Sequence, residues 1–199
     1  MDLVRRDVWF CLDKHVAQPT MTRLEAISAL ADAVGEEDIL VSNIGVPSKE
    51  LFASIDRPLN FYMLGSYTQA TPIALGMALS SDRRVFVVDG DGSLLGSSIF
   101  PVLAAEKPVN LTILCVDNGT FGSTGNQINQ AYDIVDIGAV AIAFGLDVET
   151  VYDSEGVRCA VSERHGMRFV QAMIVPKNLD SRNIPFAAVD IKERFMDAL

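Results

Sequence analysis

The 199-residue chain has a formal net charge of -10 and is 49% hydrophobic, the balance of one globular domain with a real core rather than of a disordered chain. Its acidity repels nucleic acid and anionic lipid over most of the surface, so neither is an expected partner. Cys11, Cys115 and Cys159 stand far apart with no C-x-x-C pair, which argues against a cysteine metal site or a disulfide framework and for a reducing, cytoplasmic setting.

Residues 1–21 read as an N-terminal extension in which Trp9 and Phe10 are docked apolar residues, and residues 22–199 as a single domain. The apolar run at 8–12 is cut short by Asp13, Lys14 and His15 before it reaches signal-peptide length, and no run approaches the ~20 residues of a membrane helix. Leu24, Ile27, Leu30, Ala31 and Val34 recur at helical spacing and predict a helix over 23–34, stopped by Gly35; Ile39–Ser42 predicts a strand. A helix over 48–53, a strand over 61–64 and a helix over 69–79 follow.

The unbroken apolar run 85–88 predicts a buried strand, 89–92 a tight glycine turn and 94–105 a helix. The cycle repeats with a strand at 111–116, a polar loop at 117–130, a helix at 134–144, a short strand near Val148, a helix at 155–163 and a strand at 169–175. Residues 190–199 predict a last amphipathic helix with Ile191, Phe195 and Met196 on one side. Continuous apolar strands alternating with helices predict an α/β fold, a three-layer αβα arrangement around a mainly parallel sheet.

In such a sheet, ligands bind beyond the carboxyl ends of the strands, which singles out the loops after Val88 and Val116. The first places Asp91 between Gly90 and Gly92, whose small size lets the backbone amides of Gly92 and Ser93 approach an anion. The second offers Asn118, Gly119 and Thr120. A carboxylate, an amide oxygen and a backbone carbonyl form a hard oxygen site suited to Mg2+ that also holds a diphosphate. A G-D-G alone also occurs in calcium loops and hairpins; the informative part is that twenty-five residues separate Gly92 from Asn118, with a strand before each. The dinucleotide fingerprint G-x-G-x-x-G is absent, since Gly90, Gly92 and Gly96 miss its spacing.

This pattern resembles the thiamine diphosphate enzyme family and its diphosphate-type, thiamine diphosphate-binding fold. The resemblance sharpens in Val41-Ser42-Asn43-Ile44-Gly45-Val46-Pro47-Ser48-Lys49-Glu50-Leu51, in Asn60-Phe61-Tyr62-Met63-Leu64-Gly65-Ser66, in Asp117-Asn118 with Gly122-Ser123-Thr124-Gly125-Asn126-Gln127, and in the ending Arg194-Phe195-Met196. These segments look like the beta subunits of sulfopyruvate decarboxylases, and they cover the chain from about residue 22 to its end. Phosphonopyruvate decarboxylases share much of the pattern.

The resemblance implies thiamine diphosphate and Mg2+, the metal held by the side chains of Asp91 and Asn118 and the carbonyl of Thr120. It implies diphosphate contacts from Gly90, Gly92 and Ser93 and from the loop of Gly45, Val46 and Ser48, with Phe121 and Gly122 beside them; a helix N-cap is an equal reading of Ser48. Gly65 would meet the aminopyrimidine through its backbone. Where the family has Gly-Ser-Met-Gly, this chain has Gly65-Ser66-Tyr67-Thr68, which puts Tyr67 in the place of the wedge that bends the cofactor. The implied reaction is decarboxylation of a small anionic 2-oxoacid, 3-sulfopyruvate to sulfoacetaldehyde in coenzyme M biosynthesis, as the beta half of a hetero-oligomer. The glutamate that activates the cofactor is expected on an alpha subunit of the pyrimidine-domain type, leaving no catalytic acid assigned on this chain.

Alternatives are a phosphonopyruvate decarboxylase-like subunit and a noncatalytic cofactor-binding or regulatory subunit, the latter motivated by Tyr67 and Thr68. A ferredoxin-linked 2-oxoacid oxidoreductase subunit would call for clustered cysteines, which the chain lacks. His15 and His165 lie far in sequence from both loops and read as surface or packing residues. Asn126 and Gln127 read either as the lining of a substrate path or as a solvated loop.

Overall fold

The computed structural model describes residues 18–162, 166–178 and 180–199; Trp9, Phe10, Cys11, His15 and His165 fall outside them. In chain order the elements are α1 (Arg23–Ala33), β1 (Ile39–Ser42), α2 (Val46–Ser54), β2 (Asn60–Tyr62), α3 (Ala70–Ser80), β3 (Val85–Gly90), α4 (Asp91–Gly96), α5 (Ile99–Glu106), β4 (Leu111–Asp117), β5 (Thr120–Phe121), β6 (Gln127–Ile128), α6 (Ile137–Ala143), β7 (Asp147–Val151), α7 (Ser154–Ser162), β8 (Arg168–Met173) and α8 (Ala188–Met196). Six strands form one sheet in the order β2-β1-β3-β4-β8-β7, and every neighbouring pair is parallel.

The apolar strands are explained by helices on both faces. Leu40, Phe86, Val88, Leu114, Val116 and Val170 point to the side holding α1, α2 and α7, with Ile27, Leu30, Leu51 and Val157 packed on them. Ile39, Val41, Val85, Val87, Ile113 and Phe169 point to the side holding α3 to α6, against Ala74, Leu94, Leu103 and Ile137. Ser42 pairs with Val88 and Gly90 with Val116, so β1, β3 and β4 end near one another and their loops emerge along one edge.

Local chemistry sets several boundaries. Thr22 caps α1 in a reciprocal box with Glu25: Thr22 N donates to Glu25 Oε2 at 2.7 Å, and Glu25 N donates to Thr22 Oγ1 at 3.3 Å. Helix α2 starts two residues before the predicted 48, because Pro47 is pre-set for a first helical turn. The helix predicted over 94–105 is two helices broken at Ser97 and Ser98, and the first begins at Asp91, inside the predicted turn. Gly96 followed by two serines has too little helix propensity to carry the helix through. The polar loop at 117–130 contains the hairpin of β5 and β6.

Helix α8 covers the exposed edge at β2. Phe195 meets Phe61 edge-on at 5.3 Å between ring centres, and Arg194 pairs with Asp56 at 2.7 Å while lying over Phe186. Ile191 and Phe195 are buried as expected, but Met196 is 56% exposed, because one residue beyond Phe195 the helix has rotated away from the strand.

Candidate functional site

From β1 the chain crosses to β2 on one side and then returns to β3 on the other. Helix α2 leaves β1 towards one face of the sheet and α4 leaves β3 towards the other. The loops diverge and leave a crevice at the carboxyl ends of the strands, the position where open parallel sheets bind ligands. A cavity of about 130 Å3 lies there, walled by Asn43 and Ile44 after β1, Gly90 to Ser93 after β3, and Asn118 and Thr120 to Thr124 after β4.

Asp91 forms its floor at 3% exposure. Its Oδ1 accepts from Gly92 N at 2.8 Å and its Oδ2 from Asn129 Nδ2 at 3.0 Å. Asn129, itself buried, is held by Ala131 N donating to its Oδ1 at 2.8 Å, which fixes which end of the amide faces Asp91. A side chain at Gly92 would collide with the Phe121 ring and lie 3.3 Å from Asn129 Nδ2, so glycine there lets the β4 loop close over the turn. Asn118 Oδ1 accepts from Thr120 N at 2.9 Å, a turn that keeps the Asn118 side chain beside its own loop.

Two hydroxyls in this floor stand out. Thr120 Oγ1 is buried without a hydrogen bond, and so is Ser93 Oγ, which lies close enough to Asp89 to lower that acid's pKa but not in bonding geometry. Leaving a buried hydroxyl unpaired costs about 1–3 kcal/mol, and both residues line the cavity. Their donors are available to an anionic ligand.

The electrostatics are one-sided. Burial raises the Asp91 carboxyl above its ordinary range, against the hydrogen bond from Asn129 and the amides around it. Burial likewise raises Asp89, although Thr71 Oγ1 donates to it at 2.6 Å. Asp117 is pushed up to about 6, by burial first and by Asp91 and Asp136, with the hydrogen bond from Gln171 opposing. A cation bound among these groups would offset the cost of their charge.

The residues fit a magnesium diphosphate. Among the described residues no group of three or more His, Cys, Asp or Glu is placed to hold a metal by itself. A cation at Asp91 would therefore complete its shell with neutral oxygens and ligand oxygens, as Mg2+ does with nucleotide and cofactor phosphates. Asp91, Asn118 and Thr120 line the cavity together, and Ser93 and Thr120 carry the buried hydroxyls without a hydrogen bond beside them.

The structure brings Gly90, Asp91, Gly92, Ser93, Asn118, Thr120, Phe121, Gly122 and Tyr67 around the one cavity. Gly45 and Ser48 line a second cavity of about 280 Å3 with Lys49, Leu64 and Phe186, and Gly65 lies exposed on the β2 side. Ser48 Oγ turns inward, 2.7 Å from both Ser42 Oγ and the Asn43 carbonyl. Nor is Ser48 the cap of α2: Gly45 occupies that position. Val46 N donates to Ser123 Oγ at 3.2 Å, tying the β1 loop to the β4 loop.

Asn126 and Gln127 are exposed and close their own loop, Gln127 Nε2 donating to the Thr124 carbonyl at 3.0 Å. Asn129 is a further buried amide of that loop, which sequence reasoning missed; its only signal was a place in the same polar loop. Arg23 was read only as the start of a helix. It is buried in the cavity wall, donating to Glu50 from Nε at 2.7 Å and from Nη2 at 3.1 Å, and from Nη2 to Asn178 at 2.9 Å. Asn178 in turn donates to the Gly122 carbonyl at 2.6 Å, anchoring the turn over the cavity.

Comparison with known proteins agrees with this fold. The model of the thiamine pyrophosphate enzyme C-terminal, TPP-binding domain matches residues 48–171. The chain is 39% identical over 179 residues to sulfopyruvate decarboxylase subunit beta of Methanothermobacter thermautotrophicus, covering 88% of this chain and 94% of that one. It is also 39% identical over 203 residues to sulfopyruvate decarboxylase of Methanosarcina acetivorans, but spans only about half of that relative, 52% of its length. Among solved structures, benzoylformate decarboxylase from Polynucleobacter necessarius superposes with a TM-score of 0.64 at 17% identity, over 77% of this chain and 33% of that one, a likeness of fold.

Proposed function

The chain belongs to the thiamine pyrophosphate enzyme family, matching its C-terminal TPP-binding domain, and from that premise we propose that it supplies the magnesium-diphosphate half of a 2-oxoacid decarboxylase site. The observation that carries this reading is the pair of orphaned buried hydroxyls, Ser93 and Thr120, flanking Asp91 and Asn118 at the switch point of the sheet. The substrate is 3-sulfopyruvate and the products are sulfoacetaldehyde and carbon dioxide, supported by the likeness to the Methanothermobacter subunit along nearly its whole length. On the same reading the chain works in the cytoplasm, in the formation of coenzyme M.

Thiamine diphosphate, when bound, supplies a nucleophilic ring carbon and an electron sink for loss of carbon dioxide. The chain's own residues bind and orient it. Asp91 provides the full negative charge for Mg2+, Asn118 and the Thr120 carbonyl add neutral oxygens, and Asn129 fixes the Asp91 carboxylate in place. Ser93 and Thr120 offer hydroxyls, and Ser93 its amide, to the diphosphate; the Gly92 amide, which donates to Asp91 Oδ1, would have to turn from the carboxylate to join them. Phe121 closes over Gly92 and keeps water from that side.

The aminopyrimidine end requires a partner, an alpha subunit of the pyrimidine-domain type bearing the activating glutamate. Large apolar side chains stand uncovered on the loops that follow β2 and β4: Leu64, Tyr67, Ile128, Tyr132 and Ile134, the last 81% exposed. Uncovered apolar side chains on loops at one end of the sheet are the composition of an interface core. A noncatalytic subunit is a second reading, favoured by one observation: Thr68, where the family has glycine, sits at φ 72°.

Coexpression with an alpha-type subunit, followed by measurement of carbon dioxide release from 3-sulfopyruvate with thiamine diphosphate and Mg2+, tests the proposal. Release that disappears in Asp91→Ala supports it. Turnover of phosphonopyruvate but not sulfopyruvate would move the substrate assignment, and cofactor binding with no turnover of either would establish the noncatalytic reading.

A further inference from the structure

We propose that Tyr67 is a positioning residue for the metal-binding turn, its ring seated against α4 at Gly96 and its hydroxyl holding the Gly92 carbonyl in place. The inference rests on the cofactor reading above and adds a role that the wedge position alone does not contain. Gly92 and Gly96 are one helical turn apart and so share a face of α4. The Tyr67 hydroxyl donates to the carbonyl of Gly92, the residue directly after Asp91. A Cβ at Gly96 would stand 2.8 Å from Tyr67 Oη, 2.9 Å from its Cε1 and 3.0 Å from Thr68 Cγ2. The helix surface is thus bare where Tyr67 and Thr68 lie, and the ring occupies that bare ground.

The loop is built to keep it there. Ser66 at φ 61° and Thr68 at φ 72° both adopt left-handed backbone, a conformation that is uncommon for any non-glycine residue and an outlier for a β-branched one. The turn is closed by Gln69 N donating to the Ser66 carbonyl at 3.2 Å. Two left-handed residues on either side of Tyr67 reverse the chain around it and lay the phenol along α4, leaving it 48% exposed. One hydrogen bond therefore joins the loop after β2 to the backbone that carries Asp91 and the Gly92 and Ser93 amides.

Titration of the full chain with magnesium pyrophosphate tests this directly, because that probe lacks the rings a wedge would touch. Tyr67→Phe keeps the ring and removes only the hydroxyl; its affinity for magnesium pyrophosphate is expected to fall roughly fivefold, the worth of one hydrogen bond, while the ligand-free melting temperature stays within a few degrees. Tyr67→Met, which restores the family's wedge, is expected to show the same loss, and Gly96→Ala, which pushes the ring off the helix, at least as large a one. Wild-type affinity in Tyr67→Phe, or a lower melting temperature without loss of affinity, would overturn the proposal and leave the cofactor reading standing. Failure of the wild-type chain to bind magnesium pyrophosphate would overturn both.

Discussion

The floor of the crevice and its rim are made differently. Asp91, Ser93, Asn118, Thr120 and Asn129 are all buried and lie in the segments that follow β3 and β4; Leu64, Ile128, Tyr132 and Ile134, in the segments that follow β2 and β4, are exposed and apolar. The floor is complete in this chain apart from its ligand, whereas the rim is a surface without its counterpart. On the proposed reading, one half of the site is preorganised in this chain and the other forms only with a partner.

Cutting into the floor should give the largest effects. Asp91→Ala should abolish magnesium-dependent diphosphate binding, a loss of at least ~100-fold for a charged metal ligand, measured by calorimetry. Because burial raises the Asp91 carboxyl above its unfolded value, its charge lowers the stability of the ligand-free protein as pH rises through that interval. The variant's ligand-free melting temperature at neutral pH should therefore be no lower than the wild type's. Asn129→Ala leaves the carboxylate but removes the donor that orients it, and a roughly tenfold loss of Mg2+ affinity is expected, as for other outer-shell groups.

The rim should respond in the opposite sense. Ile134→Asp or Leu64→Arg should leave magnesium pyrophosphate binding by the chain unchanged while weakening association with the alpha-type subunit by roughly tenfold or more, read by sedimentation or pull-down against the coexpressed partner. Loss of pyrophosphate binding in these variants would mean that floor and rim are not separable.

The smallest expected effect lies outside both regions. Thr22→Ala removes the cap of α1 and should cost about 1 kcal/mol, seen in chemical denaturation. Glu25 is held below its ordinary carboxylate range by the Thr22 backbone amide and then its hydroxyl. The wild-type contribution is therefore present above that ordinary range and lost as pH falls through the lowered value, and Thr22→Ala, which keeps the backbone amide and loses the hydroxyl, should weaken that acid limb only in part.

The parallel sheet and the two segments that line the cavity were legible in the sequence because each leaves a strong local mark. Runs such as 85–88 and 111–116 read as buried strands on hydrophobicity alone, and Gly90-Asp91-Gly92 with Asn118 at its fixed interval needs no tertiary knowledge. Asn129 and Arg23 were not legible, since a buried amide and a buried guanidinium are defined by what they touch, 38 and 27 residues away in sequence. Met196 was misplaced because an amphipathic pattern does not reveal how wide a strip the edge of β2 covers. The break at Ser97 and Ser98 was written in the sequence and was outweighed by the apolar residues on either side.

The most direct test of the central claim is a crystal structure of the chain with thiamine diphosphate and Mg2+, in complex with its alpha-type partner. The account predicts Mg2+ coordinated by Asp91, Asn118 and the Thr120 carbonyl, with the diphosphate on Gly92 and Ser93. Metal and diphosphate bound away from the ends of β3 and β4 would contradict it.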